Sequence, residues 1–385
     1  MIKKLLGFCL FLLSIASFSY ANLSISPLKF EYDLKPGETI TDKIKVTNNT
    51  GGPVTLYTSK EDFIAGDDTG TPKFIKPQDQ TNKSISLSEW ININAENITL
   101  ENKESREITF QLKVPQVGEP GGHYGAIFFS SGIPNSGQVA VVQRMGVLLL
   151  VNVEGEITVS GNLNSWNIGK LNGNNIEEKK SIDEFPISFG INFENLGNVH
   201  IKPKGQILIF NEKGERIEKI GVKDILSPNG VKTGEEIVDY LPINDENGNV
   251  LPNSTRKFIV NWNGYAEKIY EKINFLSLQD KVSLEKEELT KDIKPWETIK
   301  EVNVTKKYKA QINLSYVGKD GKQNEFNGEK EFNVTYKQVK KVISIYVIIG
   351  GIILLAFIAY YITIGKKKTE ERIKKKLLEE MKNAK

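Results

Sequence analysis

The sequence predicts an all-β exterior of two tandem β-sandwiches, followed by one helix long enough to cross a membrane. Three observations carry this expectation. Apolar and polar residues alternate with period two, as in ITFQLKV (108–114) and FPISFGINF (185–193), the pattern of half-buried antiparallel strands. Clusters of Asn, Gly and Thr interrupt these stretches every 8–15 residues. Near the C-terminus, the 23 residues from Val342 to Ile364 carry no charge.

In chain order, residues 1–21 read as a secretory signal peptide. Lys3 and Lys4 precede an apolar stretch from Leu5 to Ala16, and Ser19-Tyr20-Ala21 forms a small-x-small cleavage site. Cys9, the only cysteine, lies in that segment. The mature chain is therefore expected to lack disulfides, thiol catalysis and cysteine metal sites, and its core must hold it together.

The exterior repeats itself. KIKVTNNTGGPVTL (43–56) reads as strand, Asn-rich turn, strand, and GINFENLGNVHIKP (190–203) repeats this about 147 residues later. ESREITFQLKV (104–114) then matches STRKFIVNW (254–262), and HYGAIFFSS (123–131) matches KYKAQINLSY (307–316). Three features recurring in order predict two copies of one sandwich, placed at 22–155 and 156–338 with a stalk at 339–341. Tyr124 and Tyr308 fall where the penultimate strand of each copy is expected to begin. That is the place of the tyrosine corner of immunoglobulin-like sandwiches. Gly121 and Gly122 give the chain room to turn, and a strand rather than a helix follows them. EPGGHYG (119–125) therefore reads as a structural corner and not a phosphate loop. In NVHIKPKG, alternation is expected to turn His200 toward solvent.

The span is expected at 342–364, with Tyr346, Tyr360 and Tyr361 at its interfaces. The tail at 365–385 opens with Lys366, Lys367 and Lys368, which by the positive-inside rule places it in the cytoplasm and the exterior outside, as in a single-pass type I protein. Ile373, Leu377, Leu378 and Met381 share a helical face, so the tail is expected near anionic lipid. Removing +2 for the leader and +5 for the tail from the total of +3 leaves about −4 for residues 22–365. The basic charge thus sits at the membrane and is no sign of nucleic acid.

Three stretches, FEYDLKPGETITDKIKVTNNTGGPVTLYT (30–58), VPQVGEPGGHYGAIFF (114–129) and QRMGVLLLV (143–151), resemble the N-terminal domain of the WxL-interacting proteins of Gram-positive bacteria. The resemblance implies a signal peptide, two immunoglobulin-like domains, one membrane helix and a basic tail. It also implies peptidoglycan binding through the first domain and binding of secreted surface proteins through the second. The second half departs from that pattern. ENLGNVHIKPKGQILIFNEKGERI (194–217) resembles bacterial surface sandwiches of the pilus-chaperone type.

No nucleophile elbow, HExxH, P-loop or paired-carboxylate motif appears, and the mature chain offers only His123 and His200. A non-enzymatic protein without cofactor or metal is expected. GDDTG (66–70) and NDENGNV (244–250) fit ordinary turn chemistry better than a calcium loop. The long polar stretch 61–90 is the first candidate for a ligand-facing loop, with Phe63, Asp67, Asp68, Phe74 and Trp90 as its contacts. The insertion 264–305, with Tyr265, Tyr270, Phe275 and Trp296, is the second. The function expected is display and tethering at the cell surface, with peptidoglycan or secreted surface proteins as partners. The alternative is an assembly factor that complements secreted subunits with a strand. The sequence sets no oligomeric state.

Overall fold

The computed structural model describes residues 22–76, 79, 85–132, 143–179, 181–227, 232–269 and 272–383. The expected signal peptide with Cys9, and Tyr270, lie outside the described residues. The first half contains β1 (Asn22–Ser26), β2 (Lys29–Leu34), β3 (Thr39–Asn49), β4 (Val54–Ala65), β5 (Pro72–Ile75), the single turn α1 (Leu87–Trp90), β6 (Ile91–Ile93), β7 (Asn97–Leu100), β8 (Ser105–Lys113), β9 (Gly121–Ser130) and β10 (Arg144–Val153). The second half begins with β11 (Gly161–Asn172), β12 (Asn175–Glu178), β13 (Ser181–Ile182), β14 (Ile187–Asn195), β15 (Lys204–Asn211), β16 (Gly221–Leu226), β17 (Lys232–Val238) and β18 (Leu241–Ile243). It continues with β19 (Ser254–Trp262), β20 (Tyr265–Ile269), β21 (Lys272–Leu276), α2 (Leu278–Lys291), β22 (Glu297–Val317) and β23 (Gln323–Ile343), and α3 (Ile345–Asn383) ends the chain.

Each half packs two sheets face to face. The first has the orders β1-β3-β8-β6 and β2-β10-β9-β4-β5, with β7 also on β4. The second has β12-β11-β14-β19 and β13-β23-β22-β15-β18. The central strands follow one order twice, β1-β3-β8 matching β11-β14-β19 and β2-β10-β9-β4 matching β13-β23-β22-β15. β3 pairs with β8 as β14 pairs with β19. In both halves the last strand lies antiparallel to the one before it and parallel to a short early strand, β10 on β2 and β23 on β13. Alternation decides which side chains face inward. Ile108, Phe110, Leu112 and Val114 enter the first core, and Ile187, Phe189, Ile191 and Phe193 the second.

The repeat extends to a hydrogen-bonding device. Asn48, fully buried, donates from Nδ2 to the carbonyls of Gly52, Leu100 and Glu101 at 2.8, 3.0 and 3.1 Å. Its Oδ1 accepts from the Thr50 amide at 2.9 Å. Asn195, also fully buried, donates to the carbonyls of Val199 and Val250, both at 2.8 Å, and accepts from the Gly197 amide at 2.9 Å. Each amide ties a strand-to-strand crossing to a segment just ahead of β8 or β19.

Three expectations change. The insertion 264–305 is a β20–β21 hairpin and α2, whose Ser277 and Asp280 form a capping box. The stalk expected at 339–341 is strand, because Val339, Lys340 and Lys341 pair with Glu301, Lys300 and Ile299. The membrane-length helix starts at Ile345 and runs on without a break through the basic tail. Its first five turns are apolar on every side and, among the described residues, pack against none.

Asn48→Ala strands buried carbonyls and should lower the stability of residues 22–341 by about 2–3 kcal/mol. Asn195→Ala should cost a similar amount. Urea unfolding followed by far-ultraviolet circular dichroism measures both, and a loss under about 0.5 kcal/mol contradicts the role given to these amides.

Candidate functional site

The residues expected to face a ligand sort into three places. The stretch 61–75 is no loop. Gly66 and Gly70 bracket a tight turn, so β4 and β5 fold onto each other with Phe63 opposite Phe74. Phe63 is buried edge-on against Phe74 at 5.9 Å and tilted against Tyr124 at 5.8 Å. Half-buried Phe74 also packs on Phe128 at 4.9 Å. Trp90 is buried beside His123, with ring centroids 4.4 Å apart. Asp67 closes its own turn, its Oδ1 accepting from the Thr69 amide and hydroxyl at 2.9 and 2.6 Å. Those hydrogen bonds hold its carboxyl below the usual range. Asp68 points into the second half, where its carboxylate lies 2.6 Å from Lys257 Nζ and its carbonyl accepts the Lys257 amide. Alternation through FIAGDDTGTPKFI hid this hairpin because its turn is unusually polar.

The two tyrosines sit in different surroundings. The Tyr124 hydroxyl is buried, and burial pushes the phenol up, partly opposed by the His200 backbone. Tyr308 lies midway along β22, not at its start, and packs on Trp262 and Phe332. The strand begins earlier because residues 297–306 pair in register with 334–343. The Tyr316 hydroxyl accepts from the Gly161 amide at 3.0 Å.

What these positions share is a junction between the halves. The Gly122 amide donates to the Asn198 carbonyl at 2.7 Å. Gly121 has φ +127°, and a β-carbon there would stand 2.9 Å from that same oxygen. The glycine pair therefore lets β9 touch the turn after β14. His200 does not face solvent: it lies edge-on against Tyr124 at 5.8 Å, because the first half covers that side of the second. Its Nδ1 is buried without a partner among the described residues, and burial, partly opposed by Glu31, pushes the imidazole down to about 4. Glu31 takes an ion pair from Lys202, another from Lys29 at 2.7 Å, and a hydrogen bond from Asn249 at 3.2 Å. Burial alone would raise its carboxyl, but these donors bring it down to about 2.

Beside the contact lies a cleft of about 400 Å³. Ile64, Ile85, Glu119 and Asn253 stand exposed at its mouth, with His123 and Tyr124 on its floor. The two nitrogens of His123 face the carbonyls of Ile85 at 3.0 Å and Glu119 at 2.8 Å. That ring thus pins the cleft's two rims and offers no free nitrogen to chemistry. Among the described residues, no group of three or more His, Cys, Asp and Glu is placed to hold a metal.

Residues 28–131 match the family described as WxL Interacting Protein, peptidoglycan binding domain. This stretch is a WxL-interacting-protein domain. No curated protein matches the chain. Among solved structures, the class 5 fimbriae chaperone CfaA is 16% identical, covering 67% of this chain and 100% of its own, at a TM-score of 0.29. The YadV chaperone is 10% identical, covering 80% of this chain and 99% of its own, at a TM-score of 0.31. The E. coli chaperone DraB is 10% identical, covering 80% and 96%, at a TM-score of 0.30.

Both the cleft floor and the junction are built from the motif EPGGHYG, which lies inside the WxL-interacting-protein match. Sequence reasoning missed Glu31, Lys202, Asn198 and His200 as a group. Each sits in an unremarkable local pattern, and only the packing of the halves joins them.

Linkage sets the sign of the junction's response to acid. His200 titrates near 4 when folded and near 6.5 when unfolded, so its contribution is complete above about 6.5 and lost as pH falls to about 4. Glu31 adds stability above about 4.5 that is lost toward about 2. The unfolding midpoint of residues 22–341 should fall on acidification from 6.5 to 4. His200→Gln should flatten that interval while keeping the loss below 4.5. Identical pH profiles for the two proteins would remove His200 from the account.

Proposed function

We propose that the chain is a non-enzymatic tether at the cell surface, held by α3 and binding peptidoglycan through its first half. The observation that carries this reading is the match of residues 28–131 to a peptidoglycan-binding domain. The cleft beside Gly122 and His123 is the binding site in this proposal. Its walls come from the matched motif, from the β4–β5 hairpin and from residues 251–253 of the second half. Ile64 and Ile85 give a sugar ring an apolar face, and the exposed rim of backbone and Asn253 gives its hydroxyls and peptide groups partners. Lys366, Lys367 and Lys368 follow the apolar turns of α3, and by the positive-inside rule they support a cytoplasmic C-terminus with both sandwiches outside. Residues 156–338 then act as the spacer and second binding module.

One observation favours a second reading, capture of an extended strand. β19 is an edge strand of nine residues. Its Lys257 amide points away from β14 and is taken by Asp68. Ile259 and Asn261, two and four residues on, turn their backbone groups the same way. Among the described residues no strand pairs with that side. A secreted subunit could add there by backbone hydrogen bonds.

Residues 22–341 should co-sediment with purified peptidoglycan sacculi, and Ile64→Asp should lower the bound fraction at least severalfold. Protein that stays in the supernatant defeats the wall-binding reading. Equal pelleting of both proteins moves the site out of the cleft. Retention of unfolded peptide but not sacculi, lost on Ile259→Pro, selects strand capture.

A further inference from the structure

We infer that the far end of the β22–β23 ribbon is a membrane-docking surface, fitted to the anionic lipid interface that α3 enters. The inference rests on the reading of α3 as a membrane anchor and goes beyond it. Only Ser344 separates the last strand residue, Ile343, from the first helical residue, Ile345. The Ser344 amide donates to the Trp296 carbonyl at 2.8 Å. Trp296 is therefore fixed beside the point where the chain meets the bilayer, whatever the tilt of the helix. The connection from α2 back to β22 is held to the same place by Lys341, which bonds the carbonyl and carboxylate of Asp292.

Exposed apolar side chains form the tip, flanked by the charges of Asp292, Lys294 and Glu297, with the Lys294 ammonium 5.7 Å from the Trp296 ring. Ile293 is 38% exposed, Trp296 51% and Ile343 59%. The other three tryptophans, Trp90, Trp166 and Trp262, are buried. Tryptophan at the level of lipid headgroups is a favoured placement, since its ring is apolar and its N–H stays wet. Above this apolar tip stand two lysines. Lys300 and Lys340 are direct register partners, so their side chains leave the same face of the ribbon. Like charges directly opposite each other destabilise a strand pair. Neither lysine has an ion pair among the described residues, whereas Lys337 and Lys341 on the same strand are matched to Glu301 and Asp292. They lie three residues from Ile343, about 10 Å up the ribbon. Lysine stems bend toward an interface, so both ammonium groups reach the lipid phosphates while Trp296 and the two isoleucines sit at the hydrocarbon edge. Phosphates between the lysines relieve the repulsion that the ribbon carries alone.

The surface makes the exterior lean on the bilayer at two points, the span and the ribbon tip, and so limits how it can pivot. The test uses the full chain reconstituted in vesicles of phosphatidylglycerol and phosphatidylcholine, with lipids brominated near the headgroup as quenchers. The full chain should float with the vesicles, and bromolipid should quench its tryptophan emission. Trp296→Phe should abolish the quenching while leaving flotation intact. Lys300→Glu with Lys340→Glu should reduce it severalfold. A chain that floats but is not quenched overturns the docking surface and leaves the anchor standing. A chain that does not float overturns the anchor, and the docking surface with it. Equal quenching in pure phosphatidylcholine overturns the role given to the lysine pair.

Discussion

The amide of one buried asparagine fixes the crossing between the two sheets of each half. A sandwich without disulfides has to hold its sheets in register by packing and by a few well-placed polar bonds. Asn48 and Asn195 supply those bonds at the turn where the chain leaves one sheet for the other. The consequences spread along the fold. With β3 and β14 held, β8 and β19 pair beside them, and the last two strands of each half close the opposite sheet. The turn after Asn195 also carries Asn198 and leads to His200, so the same device sets the surface on which the first half rests.

That surface mixes interactions of unequal worth. The Glu31–Lys202 and Asp68–Lys257 pairs are partly exposed, and each alone adds little. The glycine contact at Asn198 and the ring contact between Tyr124 and His200 are less replaceable, because they depend on shape. Among the described residues the buried His200 Nδ1 has no partner, so the joint holds a polar atom that is not satisfied.

Much of the fold was legible in the chain. Alternation marks the strands that bury Phe110 and Phe189, and the 147-residue spacing of the two Asn-rich turns marks the repeat. The membrane-length helix is plain from composition. What escaped is what local pattern does not encode. GDDTG reads as loop, yet Phe63 and Phe74 on either side of it face each other across a hairpin. The phase of alternation around His200 points it outward, and only a second body placed there makes it buried. Tyr316 makes a backbone contact near the end of β22 that its local pattern does not announce.

The length of the β22–β23 ribbon has a mechanical consequence. Each residue from Gln323 to Ile343 has a register partner on β22, and β23 runs almost directly into α3. If one end of the exterior is held by the wall and the other by the bilayer, tension enters the sandwich along the axis of its last strand. The ladder to β22 is then loaded in shear, with its hydrogen bonds sharing the force, instead of being peeled open one rung at a time. The strand that leads into the membrane-length helix is also the one best placed to bear a pull.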